Sequence, residues 1–210
     1  MPILQSLEKI DRSLFKFINQ DAHSAILDPL MSLLRNPDTW IPLYVFMAFW
    51  SVIRLKKVTW LFVVCTLLMF ACTDSITAFI LKPFFERLRP CAEPTLVGIV
   101  RVLDGCGGKY SFPSNHAANH FALAAFWYGA ISKMTGKKWY WLWAWAFLVC
   151  YAQIYVGKHY PGDILAGTVF GICAGTLTYR LFCWLLGVIQ KKQQPEVSGK
   201  GEDHPGTQLN

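Results

Sequence analysis

"VTWLFVVCTLLMFACTDSITAFILKPFFERLRP", Val58 to Pro90, is two kinds of sequence joined end to end. From Val58 to Leu81 it is apolar with one ionisable residue, Asp74, and from Lys82 onward it turns cationic. A helix needs about 20 residues to cross the hydrocarbon of a bilayer, so the apolar part is long enough to span. An ionisable group at that depth faces a bundle interior rather than lipid, so Asp74 is predicted to support Lys82, about two turns further on, or to cap a polar pocket. The cationic end then stands at a membrane boundary.

Composition points the same way. Hydrophobic residues make up 54% of the chain, charged residues 16%, and mean hydropathy is +0.33. A soluble domain carries about a quarter charged residues, so the deficit implies a solvent other than water. Fifteen Phe, nine Trp and eight Tyr suit a chain with two lipid-water boundaries to line. The net charge of +7 raises nucleic acid as a partner. That reading needs a basic stripe with interleaved aromatics, whereas here the cations flank apolar segments, so membrane topology accounts for them and nucleic acid is not an expected partner.

Four more apolar segments surround the first: Trp40 to Leu55, Pro113 to Ser132, Trp139 to Val156 and Ile164 to Ile189. Together they predict an all-α, multi-span transmembrane bundle of about five helices over residues 37–189. Residues 1–36 differ. Ile3, Leu7, Ile10, Leu14 and Ile18 recur at helical spacing between charged residues, which predicts an amphipathic helix, interfacial or packed on the bundle, followed by a second short helix at 24–34. Residues 190–210 are polar and rich in Pro and Gly, and are predicted to be a disordered tail. Arg54, Lys56 and Lys57, then Lys133, Lys137 and Lys138, then Lys191 and Lys192 fall in alternate connections. The positive-inside rule makes that side cytoplasmic, so loops 82–112 and 157–163 are expected on the external face of an integral multi-pass protein.

Those external loops hold nearly all the reactive side chains. Lys82 and Arg89 are seven residues apart and would share a side if the helix continued past Pro83, where a point charge and a planar fork could grip a phosphoryl group. Pro113 suits a first helical turn, leaving the next backbone N–H groups free to bind an anion beside Ser114, Asn115 and His116. His159 and Asp163 are four apart across Pro161 and Gly162, so a turn can bring the carboxylate to one ring nitrogen and leave the other free. His116 and His120 share a helix face and invite a metal reading. No Glu follows His116 and no third ligand has suitable spacing, so neither a metal nor another cofactor is expected. Cys91 and Cys106 share one polar loop, which permits a disulfide without requiring it.

Three ordered patches together resemble the signature of the type 2 phosphatidic acid phosphatase superfamily, membrane lipid phosphatases related to the vanadium haloperoxidases. The pattern is a Lys, six residues and Arg-Pro; a Pro-Ser-Gly-His; then a Ser-Arg, five residues, a His, three residues and an Asp. The first reads Lys82, Arg89, Pro90; the second Pro113, Ser114, Asn115, His116, with Asn for Gly; the third keeps His159 and Asp163 but has Ala152 and Gln153 where Ser-Arg is usual. The resemblance implies that His159 attacks phosphorus and forms a phosphohistidine, oriented by Asp163. It implies that His116 protonates the leaving oxygen and then activates water. Lys82, Arg89, Ser114, Asn115 and Gln153 would bind phosphate oxygens. The expected partners are membrane lipids and a lipid phosphate or diphosphate substrate. Undecaprenyl diphosphate, phosphatidate, phosphatidylglycerol phosphate and a lipid A phosphate all suit such a site, and the compact chain with its short site loop favours a bacterial polyprenyl diphosphate. The implied location is the bacterial cytoplasmic membrane with the site on the periplasmic face. Phosphotransfer to a second lipid and a non-catalytic lipid-binding or transport role are the competing readings.

Overall fold

A computed structural model describes residues 2–193. Helix α1 (Pro2–Lys16) runs on through a π-helical turn at Phe17–Asp21, and α2 (Leu27–Arg35) follows. Helices α3 (Ile41–Leu55) and α4 (Thr59–Ser75) are joined at Lys56, whose φ of 48° turns the chain back. A second π-helical turn, Ile76–Leu81, carries α4 into the short α5 (Lys82–Phe85). Helices α6 (Asn115–Thr135), α7 (Trp141–Tyr155) and α8 (Pro161–Gln193) complete the fold. Among the described residues the single β pairing is a bridge between Leu88 and Tyr110.

Helix α6 is the axis of the molecule. Ser114 caps its start, accepting from the Ala117 amide, and Gly136 closes its end in the left-handed conformation. Ala117, Ala118, Ala122, Ala124, Phe126 and Ala130 are all fully buried along it. The small residues have a purpose: Gly167, Gly171 and Gly175 recur every fourth residue of α8. A Cβ added to them would stand 2.5 Å from the Ser114 carbonyl oxygen, 2.3 Å from that of Ala118 and 2.4 Å from that of Ala122. Only glycine allows this approach, the small-residue seam by which helices pack where lipid gives no hydrophobic drive.

Two helical stretches are long and apolar enough to cross a membrane, Pro37–Phe85, which turns at Lys56, and Pro161–Lys192; α7 is apolar but shorter. Phe49, Leu67, Phe79, Leu165, Val169 and Trp184 stay exposed on their outer faces. Helix α1 uses two faces. Phe15 packs edge-on against Tyr160 at 5.3 Å, and buried Asn19 donates to the carbonyls of Tyr155 at 2.7 Å and Arg101 at 2.9 Å. Ile3, Leu7, Ile10 and Leu14 remain exposed. Four residues of the expected amphipathic stripe are thus exposed, whereas the fifth, Ile18, packs on the core. Helix α8 extends through Gln193, and the rest of the predicted tail, residues 194–210, lies outside the described residues.

Candidate active site

The α6–α8 seam determines where the site forms. It brings the first turns of both helices together, and the Ser114 amide donates to the Asp163 carbonyl at 3.1 Å. His159 precedes α8 and is 1% exposed; Asp163 is fully buried. Asp163 Oδ2 accepts from the Tyr160 amide at 2.8 Å and faces His159 Nδ1 at 3.6 Å. The predicted His-Asp pair is therefore formed, as an electrostatic contact slightly longer than a hydrogen bond. Burial lowers the His159 pKa to about 4, Asp163 opposes that shift, and Arg89 and Lys82 add to it. A neutral imidazole thus faces its carboxylate through Nδ1, which leaves Nε2 for chemistry.

The two predicted cations meet by a route other than a shared helix face. Helix α5 ends at Phe85, Glu86 is left-handed (φ 49°), and Arg89 lies in extended chain. Pro83 occupies the first turn of α5, where it is tolerated, but too little helix follows for the seven-residue spacing to matter. Arg89 is instead held by the loop opposite, with Nε donating to the Tyr110 carbonyl at 3.2 Å and Nη1 to that of Cys106 at 2.8 Å. The Leu88–Tyr110 bridge and a Cys91–Cys106 disulfide, which the sequence had left open, close this loop. Gly107, at φ 74°, lets the backbone pass Arg89: a Cβ there would lie 3.1 Å from Nη1. Burial first, and Arg35 second, lower the Arg89 pKa. Lys82 is within electrostatic reach of Arg89, Asp163 and Asp74, and His116 within reach of His159, Arg89 and Arg35.

The remaining predicted residues divide. Ser114 sits at the cap. The Asn115 amide turns away from the expected anion position and donates to Asp74 Oδ1 at 2.9 Å, beside Asn119, which donates to the same oxygen at 2.9 Å. Asp74 thus ties α4 to α6 by accepting from two asparagines of the first turns of α6. His120 Nδ1 contacts the His116 carbonyl at 2.8 Å. Gln153 is fully buried with neither amide atom hydrogen-bonded. Among the described residues no group of three or more His, Cys, Asp or Glu could hold a metal ion.

Several contributors went unassigned in the sequence. Arg87 Nη1 donates to Asp163 Oδ1 at 2.8 Å, and its Nη2 to Asp11 Oδ2 at 2.6 Å. Asp11, on α1, also accepts from the Gly162 amide at 2.7 Å. Arg87 lies over the Tyr160 ring at 4.2 Å. Arg87 sits two residues before Arg89 in the first motif, a signal that could have been read; Asp11 gave none.

A family model for the PAP2 superfamily matches residues 60–185, which include all three motifs. The chain belongs to that superfamily. This PAP2 protein is accordingly a membrane-associated lipid phosphatase. It is 33% identical to a lipid A 4'-phosphatase of Bacteroides thetaiotaomicron over 99% of this chain and 91% of that one. It is 30% identical to a lipid A 4'-phosphatase of Porphyromonas gingivalis over 86% of this chain and 76% of that one. Among solved structures, LpxE of Aquifex aeolicus aligns with a TM-score of 0.59 and 26% identity, covering 81% of this chain and 95% of that one. The first transmembrane PAP2 type phosphatidylglycerolphosphate phosphatase of Bacillus subtilis aligns with a TM-score of 0.64 over 91% of this chain and 89% of that one; at 19% identity it speaks to the fold alone. For a PAP2 phosphatase the arrangement is chemically apt: a neutral imidazole backed by a carboxylate, a second histidine, and cations beside a helix start.

Proposed function

We propose that this PAP2 phosphatase hydrolyses the 4'-phosphate ester of lipid A, or of a closely related saccharide lipid, at the external face of a bacterial cytoplasmic membrane. The substrate choice rests on the two curated relatives, and it moves the preference from the polyprenyl diphosphate that chain length favoured. What supports the mechanism is the His159–Asp163 contact at 3.6 Å, with His159 within electrostatic reach of Arg89 and Lys82, and His116 within reach of His159 and Arg89.

His159 Nε2 attacks phosphorus in line, the P–O ester bond breaks, and the leaving oxygen takes a proton from His116. The phosphohistidine then reacts with water, which gives its proton to His116 as the P–N bond breaks, releasing inorganic phosphate and regenerating both histidines. Asp163 orients His159 and stabilises its charge. Lys82, Arg89, Ser114 and the first amides of α6 bind the phosphoryl oxygens, with Gln153 and the Asn115 backbone at the edge. General acid-base help of this kind is worth about 100- to 10,000-fold, and preorganised donors shielded from water add to it.

In this reading α3, α4, α6, α7 and α8 are the five spans of a 37–189 phosphatase domain, and residues 1–36 lie in the interface. The loops carrying Arg54, Lys56, Lys57, Lys133, Lys137 and Lys138 face the cytoplasm. The test is phosphate release by purified wild type and His159→Ala from lipid A, polyprenyl diphosphate, phosphatidylglycerol phosphate and phosphatidate, each with and without an acceptor lipid. The expected result is the highest kcat/KM on lipid A, lost in the variant, with no transfer product. Equal, slow release by both proteins from every lipid sinks the reading.

A further inference from the structure

Arg35 ends α2, far in sequence from every motif of the site, yet its side chain reaches the loop that holds Arg89. Its Nη1 contacts Asp104 Oδ2 at 3.2 Å, while its Nε is buried with no hydrogen-bond partner. Lys158, next to His159 and 5% exposed, donates Nζ to the carbonyl of the same Asp104 at 3.1 Å. Two cations therefore converge on one residue, Arg35 on its carboxylate and Lys158 on its backbone carbonyl. Arg35 is within electrostatic reach of His116, Arg89 and Lys158, and Arg89 of Lys82. Asp163 is spoken for by Arg87, so the four cations carry more charge than their neighbours balance.

A buried donor without a partner costs about 1–3 kcal/mol, and clustered like charges cost more as they lose water. Burial, Arg35 and Arg89 together lower the Lys158 pKa to about 8. Such a cluster is relieved by a multivalent anion. Gln153 sits in the same chain segment, buried and with both amide atoms unpartnered, at the position where the third motif usually has arginine.

We infer that Arg35 and Lys158, bridged by Asp104, are phosphate-binding residues that grip the transferred phosphoryl group and supply the charge that Gln153 lacks. The inference rests on the phosphatase reading above. It extends the site to α2, a helix outside the residues that the family model matches.

The experiment compares wild type, His159→Ala, Arg35→Gln, Lys158→Gln and the double variant Arg35→Gln/Gln153→Arg. Phosphate release from lipid A and inhibition by orthovanadate, as the phosphoryl mimic, are measured for each. Losing one preorganised donor typically costs about 100-fold or more in rate, so Arg35→Gln should lower kcat/KM by about that factor and weaken orthovanadate inhibition in parallel. Lys158→Gln should follow with a drop of about tenfold, as a point charge with fewer directed bonds. Recovery on adding Gln153→Arg supports a shared role in charge. Arg35→Gln within threefold of wild type overturns the inference and leaves the phosphatase reading standing. So does a loss of rate with unchanged orthovanadate inhibition, which marks a structural role. If Arg35→Gln does not fold, Lys158→Gln alone carries the test, and unchanged values for both measurements overturn the inference. A wild type no faster than His159→Ala overturns both.

Discussion

The two flanks of the site handle their polar groups differently. On the flank toward α1, Asp163 has Arg87 on one oxygen and the Tyr160 amide on the other, and Asp11 has Arg87 and the Gly162 amide. On the flank toward α2, Arg35 Nε and both ends of the Gln153 amide lack partners, and Asp104 serves two cations. A satisfied network specifies one geometry, whereas unsatisfied buried groups hold free energy that a ligand can release. On the proposed function, the paired flank would hold the nucleophile and the unpaired flank would receive the phosphate.

Breaking the paired flank should cost most. Asp163→Asn removes the carboxylate from His159 and strands Arg87, and a comparable change in a His-Asp pair costs about 10,000-fold; a fall in kcat of at least about 1,000-fold is expected in phosphate release. Asp11→Asn sharpens the comparison, because Asp11 touches Arg87 and the Gly162 amide rather than substrate. It should lower kcat about tenfold with KM unchanged, and Asp11→Glu should recover part of that; a change confined to KM would put Asp11 on the binding flank instead. Gly171→Ala strains both flanks at once by driving a methyl into the Ala118 carbonyl. Overpacking costs about 1–3 kcal/mol, which thermal unfolding in detergent would register as a lower Tm.

The smallest expected effect concerns His159, which stands between the flanks. Its folded pKa of about 4 lies below the ordinary 6.5, so the unfolded chain takes up this proton first as pH falls. The contribution is complete above about 6.5 and is lost as pH falls toward 4. Wild type should accordingly lose more Tm than His159→Gln between pH 7 and 4.5, and parallel curves would show that His159 is not buried in its neutral form.

What the sequence made legible follows from period and spacing. The helices α3, α4, α6, α7 and α8 begin and end within a few residues of the apolar segments, because burial and backbone satisfaction leave a long apolar run no alternative to helix. Ser114, His116, His159 and Asp163 were legible because each lies within a turn of a helix start. Arg89 was identified for the wrong reason: its place comes from carbonyls more than fifteen positions away, Cys106 and Tyr110, which no local period encodes. Arg35 and Asp11 were invisible for the same cause. Each sits on an N-terminal helix whose sequence reports only its amphipathic face, while its contacts depend on which loop happens to pack there.

Helix α1 joins two worlds through one residue. Its greasy edge, Ile3, Leu7, Ile10 and Leu14, is exposed, and Asp11 on the same cylinder reaches Arg87, which pairs with Asp163. If α1 lies in the interface as proposed, whatever lifts or tilts that cylinder, such as a thinner leaflet, tighter curvature or a detergent micelle in place of a bilayer, should reach the Arg87–Asp163 pair and register as a change in turnover.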